Sequence, residues 1–196
     1  MSFVIGLTGS IGMGKSTTAQ IFRDEGIPVW DADAAVDDIY GPNGEAVAPL
    51  ALLDPELIGS GAVSKTALKA RIAEDPEFLT QLEHIVHPLV AKHRQEFLAR
   101  VQAEVIVLDV PLLFETGLDA SVDATICVSI DAPTQRRRVM ARATMTETEF
   151  DLILSKQMSD AEKRSRADYV VITDTLSSAY RQVTKILQDI RANQHA

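Results

Sequence analysis

A chain of 196 residues with 46% hydrophobic content is long enough to bury the core of one α/β domain carrying modest insertions. Its net charge of −9 and its 5% aromatic content argue against nonspecific nucleic-acid binding, which needs phosphate-neutralising cations and stacking surfaces, and also against an anionic membrane surface. The lone cysteine, Cys127, excludes an internal disulfide and a multi-cysteine metal site; with no apolar stretch of membrane-spanning length and no leader-like start, a cytoplasmic protein is expected.

The first apolar run, at 3–7, reads as a strand, and the residues from Thr17 to Arg23 read as the start of a helix. Between them lies Gly9-Ser10-Ile11-Gly12-Met13-Gly14-Lys15-Ser16, which satisfies the phosphate-loop pattern GxxxxGK[ST] in its proper strand–loop–helix context. Glycines let such a backbone curl with its N–H groups inward, and the helix N-terminus adds partial positive charge beneath bound phosphates. Lys15 is expected to reach the β- and γ-phosphates of a nucleoside triphosphate and the Ser16 hydroxyl to ligate Mg²⁺. The first helix should stop at Gly26, before a second strand at 27–30.

Asp31-Ala32-Asp33 follows that strand, at the end that faces the ligand crevice in open α/β sheets. A carboxylate there could orient an acceptor hydroxyl or take its proton; alternation would turn only one of the two inward, and helix capping is the competing role for both. The stretch from Asp31 to Ala103 far exceeds a parallel crossover and carries helix signals, so it is expected to be an inserted helical subdomain. Turns are expected at Gly41–Gly44 and Gly59–Gly61, and helix starts at Asp75-Pro76 and His87-Pro88. His87 at a helix start could cap or could donate to an anionic substrate. Asp109 ends the apolar strand at 104–109, the position of a Mg²⁺-holding acid.

A fourth strand at 124–130 contains Cys127, expected as a buried structural thiol. Segment 136–166 then holds eight basic and five acidic residues, +3 against −12 for the rest of the chain, which suggests a lid that clamps phosphates. Arg138 and Arg142 are four apart and share a helix face, whereas Arg136 and Arg137 point elsewhere. Thr146-Glu147-Thr148-Glu149 is a capping box for a helix running to about Gln157. A fifth strand at 168–173 precedes a last helix whose Leu176, Tyr180, Val183, Leu187 and Ile190 form a stripe for the sheet. Trp30 and Tyr180 are expected as packing residues.

Together these segments resemble the dephospho-CoA kinase family. The resemblance rests on IGLTGSIGMGKST at 5–17, IPVWDAD at 27–33, HPLV at 87–90, DVPLLFE at 109–115, RRRVMAR at 136–142 and SKQMSDAEKRSRADYVV at 155–171. It implies a P-loop NTPase-type three-layer α/β fold with a five-stranded parallel sheet. Its parts would be a core of 1–33, 104–135 and 167–196, a helical acceptor subdomain at 34–103 and a lid at 136–166. It further implies transfer of the ATP γ-phosphate to the ribose 3′-hydroxyl of dephospho-CoA with Mg²⁺. Asp33 would then be the general base, with Gly9, Ile11, Gly12, Met13, Gly14, Lys15, Ser16 and Thr17 around the ATP phosphates. Arg138 and Arg142 would be lid arginines, Asp31 and His87 would belong to the acceptor side, and Ser16 and Asp109 to the metal. The chain departs from the family where Arg142-Ala143 replaces a frequent Arg-Asp, and where Thr173-Asp174-Thr175 replaces an Asp-Asn-type ending after the fifth strand.

Two other readings compete. Another small-molecule or nucleoside monophosphate kinase could use the same scaffold. A nucleotide-dependent switch would want DxxG after the third strand and an NKxD motif, and neither is present. A monomer or weak homo-oligomer is expected.

Overall fold

In a computed structural model, residues 2–194 are described. The expected core limits at Met1, His195 and Ala196 lie outside them. The chain runs β1 (Phe3–Thr8), α1 (Lys15–Asp24), β2 (Val29–Asp31), α2 (Ala32–Tyr40), α3 (Val47–Leu53), β3 (Ile58–Gly59), β4 (Ala62–Val63), α4 (Lys65–Glu74) and α5 (Phe78–Arg100). It continues through β5 (Val105–Asp109), β6 (Ala124–Ser129), α6 (Ala132–Ala141), α7 (Glu147–Lys156), α8 (Asp160–Arg166), β7 (Tyr169–Ile172) and α9 (Leu176–Gln194). The described residues form two compact units, one within 2–29 and 103–194, the other within 30–102.

The first unit is built on a five-stranded sheet of order β2-β5-β1-β6-β7. β1 pairs in parallel with β5 and β6, and β6 with β7. β5 and β6 are buried at every position, as expected of strands covered on both faces. Ile5, Leu7, Phe22, Val107, Ile126, Val128, Val171 and Val183 are among the fully buried residues of its core. Each such side chain contributes about 1.5–3 kcal/mol of transfer free energy. Cys127 is buried in β6, and burial chiefly pushes its thiol up to about 12, so it stays protonated and inert.

Local signals set the boundaries here. α1 ends at Asp24 with Glu25 as its C-cap, and Gly26 follows with φ +75°, the left-handed conformation that terminates a helix. Thr146 and Glu149 make both halves of a capping box, and α7 runs from Glu147 to Lys156. The last helix departs from expectation. Val183, Leu187 and Ile190 are buried, but the stripe is continued by Ala179 and Ile186, while Leu176 and Tyr180 remain exposed. Leu176 is the first residue of α9, and Tyr180 instead gives its hydroxyl to the Glu25 carboxylate.

The second unit is mainly helical, with a core that includes Ile39, Leu50, Leu57, Leu68, Phe78, Leu82 and Val86. It also contains an unanticipated hairpin, β3–β4, turned by Ser60 and Gly61, both at positive φ. The expected helix start at His87-Pro88 is wrong. α5 is continuous from Phe78 to Arg100, with Pro88 inside it. The proline forfeits one backbone donor, yet packing of Phe78, Leu82 and Val86 into the core holds the helix through it. Asp75 does accept from the Glu77 amide, but the Pro76 turn precedes the helix proper.

Candidate active site

The glycine-rich loop joins the end of β1 to the start of α1. Gly14, the residue before α1, sits at φ +91° and ψ 18°, and a Cβ there would meet the Thr173 hydroxyl oxygen at 2.9 Å. Gly12 sits at φ +78°, and its Cβ would lie 2.5 Å from Val139 Cγ2. Both positions therefore need glycine for the backbone conformation and for close packing. The first N–H groups of α1, from Lys15 onward, have no acceptor within the helix and carry the positive end of its dipole.

Lys15 Nζ lies 2.6 Å from Asp109 Oδ1. Asp109 is 1% exposed at the end of β5, beside Leu7 of β1 in the sheet register. The sheet thus holds the acid fixed under the loop while α1 presents the lysine. Asp109 and the exposed Ser16 hydroxyl supply hard oxygen donors, which suits Mg²⁺ bound largely through phosphate oxygens and water. No group of three or more His, Cys, Asp or Glu that could hold a metal ion occurs among the described residues.

A cavity of ≈ 240 Å³ opens beside the loop, with Gly12, Gly14, Thr17, Arg138, Arg142 and Leu176 in its wall. Arg138 in α6 and Arg142 at its C-cap thus share a cavity wall with the phosphate loop. Arg138 is held on one side: its Nη1 donates to Thr173 Oγ1 at 3.1 Å and its Nη2 to the Thr173 carbonyl at 2.6 Å. Its Nη2 also reaches the Asp174 carbonyl at 3.4 Å, so two of the five guanidinium N–H groups remain for a ligand. Several other basic residues of the segment serve the fold rather than a ligand. Arg136 bonds Asp151 at 2.7 Å and stacks over Phe150, and Arg166 bonds Asp119 at 2.9 Å.

Lys163 is the most instructive case. It is completely buried, with Nζ donating to the Pro111 carbonyl at 2.8 Å and lying 2.9 Å from Glu115 Oε1. Burial pushes the Glu115 carboxyl up, but the Lys163 bond and the Met158 amide outweigh it and hold the group below its usual value. This pair ties α8 to the turn after β5. Two glutamines also escaped the sequence reading: Gln135 Nε2 donates to the Ile11 carbonyl at 2.7 Å, and Gln157 Oε1 accepts from the Ile11 amide at 3.2 Å. An isolated glutamine carries no motif, so nothing in the sequence marked them.

In the helical unit, Asp31 caps α2, its Oδ1 accepting from the amides of Asp33 at 2.9 Å and Ala34 at 3.1 Å. The extended backbone stops at Asp31, so strand alternation does not decide between the two acids. Asp33 lies in the first turn of α2 with its side chain exposed. His87 is exposed in the interior of α5, far from its positive end, which removes the dipole argument for anion binding there. Trp30 is buried and donates its indole N–H to His93 Nδ1 at 3.0 Å.

Comparison with known proteins shows the family. The dephospho-CoA kinase family model matches residues 3–178. A dephospho-CoA kinase of Ruegeria pomeroyi is 54% identical over 197 residues, covering 100% of both chains, and one of Jannaschia sp. is 53% identical, covering 97% of this chain and 98% of its own. The crystal structure of TT1252 from Thermus thermophilus superposes with a TM-score of 0.86 at 34% identity, over 96% of this chain and 97% of that one. Matched by the family model over residues 3–178 and by a relative over its whole length, the chain belongs to the dephospho-CoA kinase family.

Proposed function

We propose the following division of labour for the reaction of this dephospho-CoA kinase, in which the ATP γ-phosphate passes to the ribose 3′-hydroxyl of dephospho-CoA, giving coenzyme A and ADP. The nucleotide half of the reading is carried by one observation, Lys15 paired with buried Asp109 at the head of α1. The acceptor half rests on relatives of that name matched over the whole chain.

The loop residues from Gly9 to Thr17 cradle the phosphates, and Lys15 exchanges Asp109 for the β- and γ-phosphate oxygens. Ser16 and Asp109 would hold Mg²⁺, which would supply charge neutralisation at the phosphate oxygens. Asp33 accepts the proton of the 3′-hydroxyl as its oxygen bonds to the γ-phosphorus and the bond to the ADP oxygen breaks. The free N–H groups of Arg138, with Arg142, stabilise the transferring phosphoryl group. Arg142 and Leu176 together offer a flat cation and an apolar surface to the adenine ring. Asp31 orients α2 by capping it, and His87 belongs to the acceptor side on the strength of the HPLV resemblance alone. Core, acceptor subdomain and lid are taken as 1–33 with 104–135 and 167–196, 34–103, and 136–166. A cytoplasmic location and a monomer or weak homo-oligomer fit this role.

ADP release from ATP, measured with dephospho-CoA, AMP, other nucleoside monophosphates or no acceptor, tests the reading. Turnover confined to dephospho-CoA is expected. Faster turnover with a monophosphate would overturn the acceptor, and slow release indifferent to acceptor would replace the kinase with a nucleotide switch.

A further inference from the structure

The outer side of the phosphate loop is tied down peptide by peptide. The Ile11 carbonyl accepts from Gln135 Nε2 at 2.7 Å, and the Met13 carbonyl accepts from Thr173 Oγ1 at 2.7 Å. Gln135 is 4% exposed on α6 and Thr173 is 7% exposed just after β7, so both anchors are packed in place. Thr173 is steadied in turn by Arg138 Nη1, which donates to its hydroxyl oxygen. The intervening amides behave differently. Ile11 N–H is taken by Gln157 and Met13 N–H by the Ser10 carbonyl, whereas the N–H groups of Gly12 and Gly14 donate to no protein group among the described residues.

Peptide geometry links these facts. In a planar trans peptide the carbonyl and the following N–H point in opposite directions. Holding the Ile11 carbonyl toward Gln135 therefore turns Gly12 N–H away from it, and holding the Met13 carbonyl toward Thr173 turns Gly14 N–H away in the same manner. A glycine left of its neighbours' tethers could rotate these peptides freely, because neither Gly12 nor Gly14 has a Cβ to restrict it.

We propose that Gln135 and Thr173 are positioning residues for phosphoryl transfer, which pin the Ile11 and Met13 carbonyls so that the Gly12 and Gly14 N–H groups are aimed at the nucleotide phosphates. Thr173 thereby joins the lid arginine to the loop in this chain, through Arg138, the Thr173 hydroxyl and the Met13–Gly14 peptide. The proposal rests on the nucleotide-binding role of the loop and deepens it.

The experiment compares wild type, Thr173→Val, Thr173→Ser and Gln135→Met by calorimetry with two probes: inorganic tripolyphosphate, which has no base, and adenosine, which has no phosphate. Thr173→Val keeps the side-chain shape and removes the hydroxyl. It should weaken tripolyphosphate binding about tenfold, the equivalent of one hydrogen bond, and leave adenosine unchanged. Thr173→Ser should restore wild-type affinity, and Gln135→Met should repeat the selective loss independently, which also covers an insoluble valine variant. Undiminished tripolyphosphate binding by Thr173→Val and Gln135→Met would overturn the proposal, as would equal losses for both probes or a serine variant as weak as the valine. Wild-type protein that bound neither tripolyphosphate nor ATP would instead overturn the loop's role itself.

Discussion

Asp33 and Arg138 carry the most exposed claims at the scale of single residues. Asp33 is solvent-accessible in the first turn of α2, so replacing its carboxylate by an amide removes the proposed base without leaving a buried orphan. Asp33→Asn should leave ATP affinity nearly intact and lower turnover by about 10²-fold or more. Near-normal turnover would reject it as the base. Arg138 does two jobs, gripping the Thr173 carbonyl and facing the cavity. Arg138→Ala should therefore cost more in kcat than in nucleotide affinity, by about 10²-fold. A change confined to the KM for ATP would leave it an anchor for Thr173 and nothing more. The motif residues were readable in advance because the chemistry demands their type and spacing. Gln135 and Thr173 were not, since they act on backbone atoms that lie far from them in sequence.

At the scale of elements, α8 is fastened by a buried cation. Lys163 is 0% exposed and Glu115 is 19% exposed, and their pair joins α8 to the turn after β5. Because the folded-state pKa of Glu115 is held below its unfolded value, ionised Glu115 stabilises the fold above the unfolded carboxylate range. That contribution fades as pH falls through the depressed value. Glu115→Gln should accordingly lower the melting temperature near neutral pH, with the gap to wild type narrowing in acid; a gap that stayed constant with pH would contradict the ionic role. The net charge of segment 136–166 suggests phosphate clamping, with Arg136 and Arg137 set aside, yet Lys163 and Arg166 are, like Arg136, spent on internal ion pairs. Composition cannot tell a clamp from a brace, because both need cations. The capping box at Thr146 was readable because its partners are three residues apart. The start of α5 was misjudged because core packing, invisible in local sequence, carried the helix through Pro88.

Over the whole molecule, the five parallel strands followed from apolar runs, which are properties of the chain as a string. What the string concealed was the β3–β4 hairpin, two strands of two residues each, too short for any period to show. Acceptor identity has a similar standing: a phosphate loop specifies a triphosphate, and only the DAD, HPL and PLLFE signatures, now joined by end-to-end relatives, specify dephospho-CoA. The most direct measurement is product analysis, by mass and phosphorus NMR, after incubating the protein with MgATP and either dephospho-CoA or its 3′-deoxy analogue. Coenzyme A phosphorylated at the 3′-oxygen from the first, and no phosphorylated product from the second, is the predicted result. A phosphorylated product from the 3′-deoxy analogue, or one from dephospho-CoA carrying the phosphate elsewhere, would contradict it.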